Sequence, residues 1–263
     1  MKRVILIHHH IFKNAGTSFN YALKQAFGTQ FMEYDLPKSQ VVTSDILKDC
    51  IQENPQVKAI SGHHIAMPTP QGENFKTISS VLLRKPLARI RSIYDFERKQ
   101  KAETAGAVKA KELGFKGFVE WRLETSPIVF CDYQTHYCSR TGQRKPKYRP
   151  TKTDLELAIE NLQTAAIVGT VERYNETLAV AQTRLQECFK DEELELKQVS
   201  LNTTSKKVAS DEEVRQGLVE DLGESLVDRL EEINQLDKAL YQVANSVLET
   251  KIANPEVRKT VAR

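Results

Sequence analysis

The sequence has few of the features that mark metal-binding, secreted or membrane proteins. It holds only four cysteines in 263 residues, and none belongs to a CxxC pair, which disfavours a zinc knuckle and fits reduced thiols. The N-terminal apolar run covers only residues 4–7, whereas a signal peptide needs an apolar core of about 7–15 residues and a membrane-spanning helix about 20. We therefore expect a cytoplasmic protein without a membrane span, or one whose targeting segment has been removed.

The net charge is also small, and the common nucleotide-binding motifs are absent from the sequence. The net charge is only +3, which gives no support to nucleic-acid binding. The chain contains no GxGxxG sequence, which disfavours a Rossmann dinucleotide site, and no GxxxxGK[ST] sequence, which disfavours a Walker A phosphate loop. Rossmann-fold enzymes that bind a dinucleotide, and P-loop kinases with a Walker A loop, are therefore disfavoured.

What the sequence does contain is an alternation of strand and helix patterns. Apolar runs without polar alternation, which are typical of strands buried in a parallel sheet, occur at residues 2–9, 57–61, 78–83 and 165–169, with a weaker candidate at 195–201. Helical patterns occur at residues 16–27, after Pro86, at 152–163 with Thr153 as the cap, and at 171–189 and 222–248.

This alternation predicts one α/β domain over residues 1–263. We expect a P-loop-like three-layer α/β/α fold with a central parallel sheet of about four or five strands and a helical C-terminal part. The polar tail over residues 255–263 is expected to fray.

The loop between the first strand and the first helix reads His10-Ile-Phe-Lys-Asn-Ala-Gly-Thr-Ser. A doubly wound sheet binds phosphate at this position, because N–H groups at a helix N-terminus point outward and the helix dipole favours an anion. Gly16 lets the backbone approach an oxygen closely, and Lys13 adds a positive charge. The sequence predicts an anion cradle, with an ordinary surface lysine on a strand–helix turn as the alternative. The cradle residues are Lys13, Asn14, Ala15, Gly16, Thr17 and Ser18.

This loop resembles that of the sulfotransferases that use 3'-phosphoadenosine 5'-phosphosulfate (PAPS). The resemblance is to the carbohydrate branch, which includes heparan sulfate 2-O-sulfotransferase and bacterial relatives and carries H-I-P-K-[TN]-[AG]-G-T-S. The chain departs at Phe12, where the family usually has proline, and this change removes no ligand group. The resemblance implies that PAPS is the donor, that adenosine 3',5'-bisphosphate is the product, and that no metal is needed. It also implies that Lys13 contacts the bridging oxygen and that backbone 14–18 holds the 5'-phosphate.

A second element resembles the site at which the family binds the 3'-phosphate, where an arginine ends a strand and a serine follows eight residues later. Here Arg84 ends the third predicted strand and Ser92 follows, while Lys85 replaces the usual aspartate. Arginine offers a planar fork to a phosphate, and serine adds a hydroxyl. Without the resemblance, both residues fit equally well as surface residues at a helix start. Weaker matches follow in family order at residues 134–138, 168–172, 202–207 and 237–241.

A candidate base follows the second predicted strand, in Gly62-His63-His64. By the resemblance, the histidine after the glycine matches the catalytic histidine of the 2-O-sulfotransferase. An imidazole with a pKa near 6.5 suits proton acceptance at neutral pH. We predict His63 as the base and His64 as the second choice, with a histidine satisfied inside a loop as the plain alternative.

The triplet His8-His9-His10 is expected to have no metal role. Neighbouring strand residues point to opposite faces of a sheet, so the three side chains cannot bind one metal ion. We expect His10 to help orient the cradle.

A basic segment over residues 140–152 contains several arginines and lysines and no acidic residue. As an acceptor loop it suggests an anionic acceptor, and a solvated surface loop is the alternative. The sequence thus predicts a sulfotransferase that moves a sulfo group from PAPS to an acceptor hydroxyl of a saccharide by in-line displacement. The competing hypotheses are an atypical P-loop kinase, which needs a metal-holding carboxylate at a strand end, and a catalytically inactive nucleotide-binding module.

Overall fold

The computed structural model describes residues 2–142, 149–197 and 209–261. Five strands form one sheet in the order β2-β3-β1-β4-β5, and all neighbours run parallel. The predicted α/β class with a central parallel sheet is therefore confirmed. The strands are β1 (Arg3–His9), β2 (Phe31–Glu33), β3 (Ala59–Gly62), β4 (Phe75–Leu83) and β5 (Ile167–Thr170).

Helices connect the strands and make up the C-terminal part of the chain. The first eight are α1 (Gly16–Phe27), α2 (Ser44–Glu53), α3 (Pro86–Lys99), α4 (Ala105–Glu112), α5 (Gly114–Thr125), α6 (Tyr133–Ser139), α7 (Lys152–Thr164) and α8 (Tyr174–Cys188). The last four are α9 (Asp211–Leu222), α10 (Glu224–Glu232), α11 (Gln235–Ile252) and α12 (Pro255–Val261).

Alternate residues of β1 face opposite layers of helices. Ile5 and Ile7 pack in one apolar cluster with Leu47 and Ile51 of α2. Leu6 packs in another cluster with side chains of α1 and α8. Because β1 is covered on both faces, its unbroken apolar run is explained, and the predicted three-layer arrangement is confirmed.

The order of the strands places the functional loops together. Strand β3 lies on one side of β1 and β4 lies on the other, so the strand order reverses next to β1. In doubly wound sheets, ligands bind outside the carboxyl ends of the strands at such a reversal. The loops after β1, β3 and β4 open at this edge.

Two predicted elements differ from the structure. The fifth strand is β2, which pairs with β3 at the sheet edge, and it is not residues 195–201. Residues 195–197 have no regular structure, and 198–201 lie outside the described residues. A three-residue strand shows too little periodicity to stand out in a sequence. The cap of α7 is Thr151 and not Thr153, because the Thr151 side chain accepts from the Asp154 N–H in a capping box.

The C-terminal helical part is more divided than its apolar stripe at 222–248 suggests. Gly223, with φ of 86°, separates α9 from α10. Helices α10 and α11 are separated at Ile233 and Asn234, where the buried Asn234 amide donates to the carbonyl groups of Phe130 and Leu230. The tail that was expected to fray contains α12, because Val257 is buried against α8.

Candidate active site

The loop between β1 and α1 has an unusual backbone. Lys13 and Ala15 have φ angles of 67° and 59°, which residues other than glycine rarely adopt. The Phe19 N–H donates to the Ala15 carbonyl at 3.1 Å, so the N–H groups of residues 16–18 precede the first hydrogen bond of α1. These N–H groups lie at the N-terminus of the helix, the end of a helix that favours an anion, and binding of an anion there stays a prediction.

Gly16 is explained most directly by its neighbour His10. A Cβ atom at position 16 would lie 1.9 Å from Cδ2 of the His10 ring, so a larger residue would displace that ring. From the sequence, Gly16 was assigned to the close approach of an anion. The structure shows that the glycine is needed in any case, because the imidazole packs on its Cα atom.

His10 is held in one tautomer by a short chain of polar side chains. Ser61 Oγ donates to Asn20 Oδ1 at 2.6 Å, and Asn20 Nδ2 lies 3.3 Å from His10 Nδ1. Since the Asn20 amide donates there, Nδ1 accepts and the ring proton is on Nε2. Burial, with His63 and Lys13, lowers the pKa of His10 to about 3, so the ring is neutral. A neutral N–H donor therefore lies beside the start of α1, consistent with the predicted orienting role.

Asn14 is a structural anchor of the loop. Its side chain is buried, and Nδ2 donates to the Leu82 carbonyl at 2.9 Å and to Gln134 Oε1 at 2.7 Å. Its N–H donates to the Ile11 carbonyl at 3.1 Å. Asn14 was predicted to hold phosphate through its backbone. In the structure that N–H donates within the loop and the side chain anchors the loop to β4 and α6, and the contact with phosphate stays a prediction.

Lys13 carries the positive charge of the cradle. Its ammonium group lies 4.4 Å from the centre of the Phe96 ring, and Phe12 packs edge-on against the same ring. Burial, followed by the charge of Arg84, lowers the pKa of Lys13. Within the described residues, no carboxylate lies within salt-bridge distance of Lys13, so its charge is available to an anionic ligand.

Arg84 reaches the cradle from the end of β4. Its Nη1 donates to the Lys13 carbonyl at 3.1 Å, which joins the two sequence motifs in space. Its Nε is buried without a hydrogen-bond partner. Ser92 lies on α3 and is half-buried, and its hydroxyl has no hydrogen-bond partner in the part of the chain that the structure describes. The structure thus brings Arg84 to the cradle, but no direct contact joins Ser92 to it.

His63 presents one nitrogen to the site. Its Nδ1 lies 3.1 Å from the His10 carbonyl oxygen, and since a carbonyl only accepts, Nδ1 carries the proton. The lone pair is then on Nε2, the form that a general base needs. The His63 ring stacks on the His10 ring with their centres 3.9 Å apart. The predicted base therefore lies directly beside the residue that packs on the cradle.

The backbone of His63 is fixed from two sides. Asp35, which follows β2, accepts the N–H groups of His63 and His64 through Oδ1 at 2.7 and 3.2 Å. On the other side, Arg140 Nη2 donates to the His63 carbonyl at 3.3 Å and lies over the Tyr137 ring. The His64 ring centre is 6.4 Å from that of His63. Both candidate histidines therefore lie at the end of β3.

Gln134 on α6 is a buried residue of the candidate site to which the sequence alone gives no role. Its fully buried side chain bonds to the backbone of Arg84 and to the side chain of Asn14. Asp237 of α11 accepts from the Gln134 N–H at 3.0 Å. The only available signal was that both residues lie in segments with weak family resemblance, at 134–138 and 237–241.

The weakly matching segment at 168–172 also contacts residues of the site. Glu172 Oε1 accepts the Lys85 N–H at 3.1 Å, and Tyr241 donates its hydroxyl to Glu172 Oε2 at 2.9 Å. Arg89, which lies between Arg84 and Ser92 in the second motif, is buried in α3 and donates from Nε to the Phe12 carbonyl at 3.0 Å. The matched segment at 202–207 lies outside the described residues.

The basic segment at 140–152 divides in the structure. Arg140 is a buried residue at the end of α6 and does not belong to an exposed loop. Arg149 is exposed, and residues 143–148 lie outside the described ranges. In those ranges neither Arg84 nor Arg140 forms a salt bridge with a carboxylate, so both add to the positive potential around the cradle.

The histidine triplet alternates as predicted. His8 and His10 lie on one face with ring centres 6.0 Å apart, whereas His9 faces the Ile65 carbonyl and Ser79. Considering only the described residues, no group of three or more His, Cys, Asp or Glu side chains could hold a metal ion. Over those same ranges, the helices are too short or too polar to cross a membrane.

Two comparisons with known proteins bear on this site. The profile of the sulfotransferase family matches residues 2–243. A protein of Archaeoglobus fulgidus, described only as an uncharacterized protein, is 29% identical over 251 residues, which cover 92% of this chain and 96% of the relative. The matched range contains the cradle, Arg84, His63 and Gln134.

Proposed function

Because the chain belongs to the sulfotransferase family, we propose that it transfers a sulfo group from PAPS to an acceptor hydroxyl of a saccharide. The observation that carries the proposal is the contact between the two motifs, in which the Arg84 guanidinium bonds to the Lys13 carbonyl at 3.1 Å. A nucleotide with phosphate at both its 5' and 3' positions needs two cationic sites held at a fixed spacing. The Lys13 loop and Arg84 supply such a pair.

The residues suit this ligand. The N–H groups at residues 16–18 and the Lys13 ammonium suit the 5'-phosphosulfate end. Arg84, with Ser92 further along α3, suits the 3'-phosphate. The Arg84 Nε is buried without a hydrogen-bond partner, so the protein does not saturate the donors of this guanidinium.

In the proposed reaction, the acceptor oxygen forms a bond to sulfur while the bond between sulfur and the 5'-phosphate oxygen breaks in line with it. Lys13 stabilises the negative charge that grows on the departing phosphate oxygen. His63 Nε2 accepts the proton of the acceptor hydroxyl, and its Nδ1–H remains bonded to the His10 carbonyl. The imidazolium is stabilised by that carbonyl.

The acceptor is proposed to be a saccharide that carries anionic groups, and a cytoplasmic location is proposed with it. The basic segment at 140–152, which contains no acidic residue, favours an anionic acceptor. A test is transfer of radiolabelled sulfate from PAPS to matched polysaccharides with and without uronic acids. We expect transfer to the acidic set, and transfer to neutral chains alone would contradict the anionic assignment.

Nucleotide binding is tested by isothermal titration of the folded protein with adenosine 3',5'-bisphosphate, with ATP and Mg²⁺ as the comparison. We expect binding of the bisphosphate without a metal ion. No binding by well-folded protein would contradict the proposal, and preference for ATP with Mg²⁺ would favour the kinase hypothesis. Binding without transfer to any acceptor would favour an inactive nucleotide-binding module.

A further inference from the structure

Gln134 has every hydrogen-bonding position of its side-chain amide occupied. Oε1 accepts from Asn14 Nδ2 at 2.7 Å and from the Arg84 N–H at 2.8 Å. Nε2 donates to the Arg84 carbonyl at 2.9 Å and to Asp237 Oδ2 at 3.3 Å. A primary amide has two donors and two acceptor lone pairs, so this fully buried group is saturated.

These partners permit only one orientation of the amide. In the reversed orientation, Oε1 would face the Arg84 carbonyl and the Asp237 carboxylate, and Nε2 would face two other donors. The amide pairs with both the N–H and the C=O of Arg84, as a neighbouring strand would. Gln134 thus fixes the backbone of Arg84 where β4 ends.

The same amide fixes the cradle relative to Arg84. Asn14 lies inside the cradle loop, and its Nδ2 bonds both to Gln134 and to the Leu82 carbonyl of β4. The two halves of the proposed nucleotide site, which are separated by 68 to 71 residues in the chain, are therefore linked by the direct bond from Asn14 to β4 and, at Arg84 itself, through the Gln134 amide. A further link is the bond from Arg84 Nη1 to the Lys13 carbonyl, and a bound phosphate competes for that guanidinium.

Gln134 is itself held rigidly. Asp237 accepts the N–H groups of Gln134 and Thr135 at 3.0 and 2.7 Å, and Asp132 Oδ1 accepts the Asp237 N–H at 2.9 Å. Further along α6, Tyr137 donates its hydroxyl to the Gly62 carbonyl at 3.2 Å. The helix that carries Gln134 is therefore fixed to α11 at one end and to the end of β3 at the other.

We infer that Gln134 is a positioning residue that sets the spacing between the 5'-phosphate cradle and Arg84, so that one nucleotide can occupy both. The inference rests on the proposed function, because the spacing matters only for a ligand with two phosphates. It makes a specific claim about binding. Loss of Gln134 should weaken binding of a nucleotide with both phosphates more than binding of a nucleotide with the 5'-phosphate alone.

The test compares Gln134→Met, which keeps the length and loses all four hydrogen bonds, with the wild-type protein. Titration calorimetry gives Kd for adenosine 5'-monophosphate and for adenosine 3',5'-bisphosphate. The monophosphate Kd divided by the bisphosphate Kd measures the gain in affinity from the 3'-phosphate. We expect the variant to lower this ratio about tenfold and to change the monophosphate Kd about threefold or less. Asn14→Ala removes both the bond to Gln134 and the direct bond to Leu82 without altering α6, and it should lower the ratio at least as much.

A matched control is Asn234→Leu, which removes another buried amide that donates to two backbone carbonyls. It should lower the melting temperature and leave the ratio unchanged. Gln134→Glu gives a further readout, because a carboxylate there faces the Arg84 carbonyl and Asp237, whereas the protonated acid donates one hydrogen bond where the amide donates two. Relative to the wild-type protein at the same pH, its ratio should recover in part as the pH falls from about 8 to about 5.5.

The inference is overturned if Gln134→Met and Asn14→Ala weaken both ligands by the same factor, or if the ratio stays at the wild-type value. Either result would show that the amide only stabilises the fold. If the wild-type protein binds both nucleotides equally well, the inference fails although nucleotide binding stands. If the wild-type protein binds neither, the proposed function fails as well.

Discussion

The two halves of the candidate site are held by different kinds of group. The donor half, made of the Lys13 loop and the end of β4, is fixed by the neutral amides of Gln134 and Asn14, which are fully buried. The base half, at the end of β3, is fixed in part by Asp35, an exposed carboxylate that accepts the N–H groups of His63 and His64.

This difference has a physical consequence. A buried amide that loses a partner leaves a polar group unsatisfied, so the donor half has little freedom to change. A hydrogen bond to an exposed carboxylate can be replaced by water at small cost. We therefore expect the nucleotide site to be rigid and the base half to adjust when an acceptor enters.

Removing the base itself should give the largest effect on the base half. His63→Ala should lower kcat for sulfo transfer about 100- to 10,000-fold, because a general base contributes that much. The Kd for adenosine 3',5'-bisphosphate should stay unchanged, since His63 is not expected to contact the nucleotide. His64→Ala is the matched control and should retain most activity. If His64→Ala is the inactive variant, the two roles are reversed.

Lys13→Ala removes the positive charge of the Lys13 ammonium group from the donor half. We expect kcat to fall about 100- to 1,000-fold, because Lys13 stabilises charge that develops as the phosphate departs. Rates should be measured at saturating PAPS, so that weaker binding does not contribute. Lys99→Ala removes an exposed neighbouring lysine and should have little effect. Equal losses in the two variants would point to general electrostatics and not to a specific role for Lys13.

Arg84→Ala tests whether the donor half has a second phosphate site. It should weaken adenosine 3',5'-bisphosphate about tenfold to hundredfold, the value of a charge-assisted hydrogen bond, and adenosine 5'-monophosphate much less. Arg91→Ala is a suitable control, because Arg91 lies on the exposed side of α3 and pairs with Asp95 and Asp221. If Arg84→Ala weakens binding of both nucleotides equally, Arg84 does not bind the 3'-phosphate.

The smallest effect on kcat is expected from removing Asp35, whose carboxylate accepts the N–H groups of His63 and His64. Asp35→Ala should reduce kcat about fivefold, because an exposed hydrogen bond contributes about 1 kcal/mol. Nucleotide Kd should not change. A loss as large as that of His63→Ala would show that the base half is as rigid as the donor half, and the contrast between them would then be wrong.

The sequence reveals those parts of the site that have a local signal. The apolar run of β1, the Lys13 loop and Arg84 are each recognisable within a few residues, because strand burial and anion binding impose a local pattern. The position of His63 after β3 follows in the same way. Topology then brings these segments to one edge of the sheet.

The supporting contacts leave no such signal. Asn14 and Gln134 are 120 residues apart, and Asp35 reaches His63 across 28 residues, so neither contact shows in any local window. The sequence places Arg140 in a basic loop segment, whereas the residue is buried and donates to the His63 carbonyl. Strand β2 was missed because three residues show too little periodicity.

A crystal structure of the wild-type protein with adenosine 3',5'-bisphosphate is the decisive measurement for the proposed nucleotide site. It should place the 5'-phosphate on the N–H groups of residues 16–18 beside Lys13, and the 3'-phosphate on Arg84. His63 Nε2 should open toward the 5' side, with Nδ1 on the His10 carbonyl. A nucleotide bound away from the Lys13 loop, or a His63 ring with Nε2 turned from the 5'-phosphate, would contradict the account.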